Sequence, residues 1–259
     1  MRKNENELPF KDLIIELKAW IIYLSIIGIL WELISIYTNY LFPDIGSVIT
    51  FLMNIDLKTF WYNMYVTFRN ALAGYLIGLG LALGLTYISS MSKTLDKLTN
   101  IVNISLQSIS VLIWVMMFLL IFGVLSPIPP ILVSAVATLP VLLSNLLQST
   151  RYVDKKIREL AKMLGASRLQ LFKDFIIPGS IPYIASASRV ALGLALRISV
   201  VAEAFGSSGG VGFQIIYNYN LGHSEGVIGW GLVIIIIMIL IDQLVFRIVE
   251  WEASRWRII

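Results

Sequence analysis

Apolar residues fall along this chain in long blocks, without the strict alternation of strands or the narrow stripes of soluble helices. Six blocks stand out, at residues 20–41, 66–89, 104–125, 130–147, 181–205 and 228–248. Each is close to the roughly 20 residues a helix needs to cross a hydrocarbon core. The third and fourth are split by Ser-Pro-Ile-Pro-Pro at 126–130, whose prolines remove amide donors and end a helix. Merged, the two would be too long for one span. If the first block is peripheral, five spans remain. The predicted fold is therefore all-α and integral to a membrane, with about six transmembrane helices. Residues 1–19 form an N-terminal segment and 20–259 a single transmembrane domain.

Composition supports the same class. Hydrophobic residues make up 58% of the 259 positions and charged ones 14%, whereas soluble domains carry about 45–50% apolar residues. There is no cysteine, which excludes disulfides, a thiolate nucleophile and cysteine-held metals. The opening residues mix both signs of charge and lack a small-residue cleavage site, so the first block is expected to be retained. With the N-terminus inside, sixteen of the 20 basic residues fall on the cytoplasmic side and only Lys58 outside. Arg69, Arg189 and Arg197 lie within spans. That bias follows the positive-inside rule and puts both termini in the cytoplasm.

In the second block Gly74 and Gly78, and likewise Gly80 and Gly84, are four apart, so a neighbouring helix can approach closely. Between the fourth and fifth blocks the pattern changes. Residues 151–178 hold seven basic and three acidic side chains. Ile157, Leu160, Ala161 and Leu164 recur at helical spacing. Gly165 then ends that helix. Ser167 with Gln170 forms a capping box for a second helix, striped by Leu169, Phe172 and Ile176. Pro178 and Pro182 are expected to break the chain before the fifth span. Two short helices around a glycine bend fit an element lying on lipid, and equally an element that docks a soluble partner.

The stretch "ELAKMLGASRLQLFKDFIIP", 159–178, resembles the signature loop of ABC-importer permeases: Glu-Ala-Ala, three residues, Gly, nine residues, Ile-x-Leu-Pro. Here Glu159, Leu160 and Ala161 fill the triplet, Gly165 comes after three more residues, and Phe175, Ile176, Ile177 and Pro178 close the motif. Over roughly residues 60–257, "TLPVLLSN", "GASRLQLF" and "SRVALGLALRISVVAEAFGSSGGVGFQI" resemble the nitrate/sulfonate/taurine-type branch, as do Asp242 and Trp256. One departure lies in the third span, where Ser110 and Met116 stand at positions that in the branch hold prolines.

The resemblance implies a type I importer permease fold, with a cytoplasmic coupling-helix pair between the fourth and fifth spans. It implies ATPase coupling through Glu159, Ala161, Leu164, Gly165, Ala166, Arg168, Leu169 and Pro178. It also implies a separate ATP-binding subunit carrying ATP and Mg, an extracytoplasmic substrate-binding protein and a second permease copy, in the plasma membrane of a prokaryote. No cofactor is expected in this chain. No phosphate loop is present: "GSSGGVGF" lacks the lysine. Nothing points to nucleic acid. Within the fifth span Arg189 and Arg197 lie eight apart among small residues. Either this face, with Ser186, Gly193 and Glu203, lines the pathway and Arg197 receives an anion, or the arginines pair with Glu203, Glu32 or Asp242 and hold the bundle. The external stretch after Gly206 offers a face for the binding protein. His223 is alone, and Asp44 and Asp56 suggest no chemistry. Two other classes compete: an integral-membrane transferase, which needs clustered carboxylates for Mg, and a secondary transporter, which places ionisable groups or broken helices at the midplane.

Overall fold

The computed structural model describes residues 8–38, 41–152, 163, 165 and 167–255, and every regular element among them is helical. In chain order they are α1 (Leu8–Tyr37), α2 (Ile45–Asn54), α3 (Leu57–Met91), α4 (Lys93–Ser108), α5 (Val111–Phe122) and α6 (Ile128–Tyr152). A helical lead-in, Arg168–Gln170 and then the π-helix Leu171–Ile176, precedes α7 (Ile177–Phe205). The last two are α8 (Val211–Leu221) and α9 (Ser224–Arg255). Five of these helices are long and apolar enough to cross a membrane, and α4 with α5 make a sixth if that bent pair is one span.

Local chemistry accounts for the breaks. Asp44 caps α2 by accepting from Ser47 N–H at 3.0 Å. Asp56 caps α3 by accepting from Thr59 N–H at 3.0 Å. Both carboxyls are held below the ordinary carboxylate range, Asp44 chiefly by the Ser47 hydroxyl and Asp56 by the Thr59 amide. These two residues are structural punctuation. Ser92, extended at φ −156, separates α3 from α4 and caps the latter. Gly123, at φ 87, stops α5 four residues ahead of the proline cluster, and Pro129 and Pro130 sit in the first turn of α6.

Two expectations are corrected. The third block is not one straight span: α4 and α5 meet at 89°. No proline is involved. Ile109 and Ser110 are extended, and the Ser110 carbonyl takes the amides of Ile113 and Trp114 at 3.0 and 3.4 Å. Nor do Pro178 and Pro182 break the chain, since α7 runs through both. Pro178 falls in the first turn of α7, where a missing N–H costs least, and the wide turn before it bonds Ile177 N–H to the Phe172 carbonyl, five residues back. The stretch after Gly206 contains the helix α8.

The described chain packs as two compact units. Residues 1–55 with 218–229 form the smaller one. There Trp31 Nε1 donates to the Pro43 carbonyl at 2.8 Å, Trp31 and Phe42 lie ring to ring at 5.3 Å, and the Ile45 amide donates to Glu32 at 3.1 Å. The larger unit, residues 56–217 with 230–259, is built on α3, α6 and α7. Its core joins Tyr75 and Ala82 to Leu139, Leu142, Leu143 and Leu146, and these to Ala187, Ala191, Ala195 and Leu196.

Lipid tails are as apolar as leucine, so close packing and hydrogen bonds, more than burial itself, hold such helices together. Both are visible. A Cβ on Gly74 would lie 2.5 Å from the Ser134 Cβ, and one on Gly78 2.5 Å from Thr138 Oγ1, so α3 and α6 meet backbone to backbone here. A Cβ on Gly80 or Gly84 would meet no neighbouring element within 4 Å. Polar ties run alongside: Tyr75 donates to Ser188 at 2.7 Å, Asn103 to Ser144 at 2.8 Å and Ser149 to Ser180 at 2.8 Å. Gly78→Val should therefore destabilise the purified permease by about 1–3 kcal/mol through overpacking. Gly80→Val should stay within about 0.5 kcal/mol. Thermal unfolding of the two variants side by side checks the assignment of the first glycine pair to the interface and the second to open space.

Candidate functional site

Of the segment after the fourth span, Glu159, Ala161, Leu164 and Ala166 lie outside the described residues, as does most of the helix expected before the bend. The bend itself is a glycine conformation. Gly165 has φ +72, the left-handed region that glycine enters without a Cβ penalty. The capping box is reciprocal: Ser167 N–H donates to Gln170 Oε1 at 2.8 Å, and Gln170 N–H to Ser167 Oγ at 3.2 Å. Arg168 opens the helix.

The predicted apolar stripe divides in two. Phe172 and Ile176 are 7% and 3% exposed, and Phe172 meets Tyr87 of α3 edge-on at 5.2 Å. Ser180 adds a bond to the Ile176 carbonyl at 2.7 Å and the tie to Ser149 of α6. Leu169 instead is 59% exposed, and Met163, before the bend, is exposed as well. Pro178, within α7, is also exposed. The elbow is thus fixed to the bundle on one side and offers apolar side chains on the other.

On α7 the candidate pathway residues separate. Ser186 and Arg197 are exposed, and Arg189 and Gly193 are half-buried. Glu203, the last of the set, is fully buried. Both its oxygens are committed. Oε1 accepts from Asn70 Nδ2 and from Ser199 Oγ, each at 2.9 Å. Oε2 accepts from Thr67 Oγ1 at 2.8 Å and from Gly212 N–H at 3.3 Å. Asn70 in turn accepts from the Arg69 guanidinium at 3.0 Å, so the span arginine linked to this carboxylate, through one amide, is Arg69.

The same cluster grips the glycine-rich stretch after α7. Val211 N–H donates to Thr67 Oγ1 and Gly210 N–H to Asn63 Oδ1, each at 2.8 Å. Gly210, at φ +107, has the Glu203 carboxylate 2.3 Å from where a Cβ would stand. At Gly212 the Val200 carbonyl would lie only 1.9 Å away. The glycines here admit polar backbone to a buried carboxylate; they do not cradle a phosphate. Asn63, Thr67, Asn70, Ser199, Gly210 and Gly212 are not among the residues expected from the sequence. A signal for them exists, however: Asn63, Thr67, Asn70, Gly74 and Gly78 recur at steps of four, three, four and four, one face of α3.

Apolar helices of span length with exposed apolar faces, buried polar ties and an elbow at one helix end are the features of a multi-pass membrane protein. The chain belongs to the family described as binding-protein-dependent transport system inner membrane component, whose sequence model matches residues 56–258. It is 27% identical over 237 residues to a protein of Methanocaldococcus jannaschii described as an ABC transporter permease, covering 88% of each chain. The aliphatic sulfonates transport permease protein SsuC of Bacillus subtilis is also 27% identical, over 90% of this chain and 85% of its own. The nitrate import permease protein NrtB of Leptolyngbya laminosa is 27% identical over 77% and 70%. Among solved structures, an amino acid ABC transporter matches with a TM-score of 0.59 at 16% identity, covering 74% of this chain and 92% of that one. The inward-facing MetNI methionine transporter matches at 0.57 and 18%, over 77% and 96%. These two establish the fold. The protein is an ABC importer permease subunit of the branch that the SsuC and NrtB relatives represent.

Proposed function

We propose that this subunit forms one half of a translocation pathway and takes its driving force from a separate ATPase gripping residues 151–178. The observation that carries this reading is the divided elbow. A rigid bend at Gly165 and a helix locked by its capping box transmit force only if one face is anchored, as Phe172 and Ile176 are, and another is free, as Leu169 is. The lead-in is continuous with α7, so a push on the elbow moves the whole of that helix as a rigid body.

ATP and Mg belong to the partner in this scheme, a second copy of the permease completes the pathway, and an extracytoplasmic binding protein delivers the solute. The positive-inside bias supports cytoplasmic termini in the plasma membrane of a prokaryote. The relatives named for aliphatic sulfonates and nitrate support uptake of a small solute of that size. The test is reconstitution. Vesicles holding the permease with its ATPase accumulate solute from the liganded binding protein only when ATP is supplied on the ATPase side. Uptake by the permease alone overturns the scheme.

A further inference from the structure

The right-angled break between α4 and α5 leaves a cavity of about 420 Å3 that neither the elbow nor the Glu203 cluster uses. That volume lies within the roughly 300–1,000 Å3 of small-molecule sites. Its polar wall consists of Gln107 at the end of α4, Trp114 on α5, and Ser144 and Asn145 on α6; among the described residues no Asp, Glu, Lys, Arg or His lines it. Several groups there are left with capacity. Ser144 Oγ accepts from Asn103 Nδ2 at 2.8 Å, which frees its own proton. Asn145 spends one amide proton on the Val141 carbonyl at 2.8 Å, leaving its Oδ1. Pro140 has no N–H for the carbonyl of Val136, four residues earlier, and both residues line the cavity.

Unpaired polar groups at membrane depth are costly unless they border a wet or solute-holding space. An acyl chain would satisfy none of them. A small anion would bring a charge that nothing in the wall neutralises. We infer that this cavity is a subsite for the transported solute, and that the solute is a compact uncharged molecule carrying both hydrogen-bond donors and acceptors. The word "transported" rests on the function proposed above; the chemistry of the cavity does not. The subsite thus differs in kind from one suited to sulfonate or nitrate.

The chain has no cysteine, so Ser144→Cys and Asn145→Cys each introduce a unique thiol. The full-length permease in lipid nanodiscs is treated with uncharged methyl methanethiosulfonate and with its anionic sulfonatoethyl counterpart, each rate being normalised to free cysteine. The uncharged reagent should react about ten-fold faster or more, since a charge entering such a site loses its hydration without compensation. Nicotinamide or cytosine at millimolar concentration should slow the labelling at both positions; nitrate and ethanesulfonate should not. Equal rates for the two reagents overturn the inference, as does failure of both to react, which means lipid or protein fills the space. Protection by the anions, or by none of the four solutes, overturns it too. Association with the ATPase is read separately by co-purification, so loss of coupling and loss of the subsite are told apart.

Discussion

Glu203→Leu should lower the unfolding temperature of the purified permease by roughly 6–12 °C, which corresponds to about 3 kcal/mol at about 2–4 °C per kcal/mol. The average interhelical hydrogen bond in a membrane is worth only about 0.6 kcal/mol, so a single lost bond would not give this. Four donors converge on Glu203, and they differ in what they can do once it is gone. The Thr67 and Ser199 hydroxyls can rotate to other acceptors. Asn70 Nδ2 and Gly212 N–H cannot, and each buried donor left without a partner costs about 1–3 kcal/mol. Glu203→Gln keeps one oxygen and should lose roughly half as much, because its new amide faces Gly212 N–H, another donor. Unchanged unfolding in Glu203→Leu, followed by differential scanning fluorimetry, would show that the carboxylate does not organise the α3, α7 and glycine-loop junction.

Gly165→Pro should abolish productive coupling while leaving membrane insertion intact. Proline fixes φ near −65°, and Gly165 sits at +72°. The bend must then open, which re-aims the chain before it relative to the lead-in that carries Leu169, Phe172 and Ile176. Gly165→Ala is the matched control. Nothing lies within 4 Å of a Cβ at this position, so alanine suffers only the left-handed backbone penalty of about 1–2 kcal/mol, enough for roughly a ten-fold drop in uptake per ATP. In the assembled transporter, the proline variant should show ATP hydrolysis without accumulation of solute, and the alanine variant partial uptake. Wild-type uptake by Gly165→Pro would remove the bend from the mechanism.

Much of this architecture is legible in the residues. Apolar blocks of span length locate the crossing helices because the membrane imposes one length on all of them. Ser167 with Gln170 gives the second elbow helix its start because the capping box is purely local chemistry. The glycine steps are readable as a contact, yet only tertiary structure separates Gly74 and Gly78, pressed on α6, from Gly80 and Gly84. The break at Ile109 and Ser110 escapes a reading of the sequence because no proline marks it; it is made by two extended residues whose neighbours compete weakly for helix. Pro178 misleads in the opposite sense, since it sits in the first turn of α7, where its missing N–H costs least. Arg189 and Arg197 stand out as candidate partners of Glu203, whereas the residues that hold it are the uncharged Thr67, Asn70 and Ser199. A pairing rule based on charge does not find these.

The central claim is that a soluble ATPase grips the exposed side of the elbow from the cytoplasm. Leu169→Cys, in a chain with no other thiol, tests it with a membrane-impermeant thiol reagent applied to inverted and to right-side-out vesicles, with and without the ATPase subunit. The account predicts rapid labelling in inverted vesicles alone, suppressed when the ATPase subunit binds. Labelling from the right-side-out face, or labelling in inverted vesicles that the bound ATPase leaves unchanged, would contradict it.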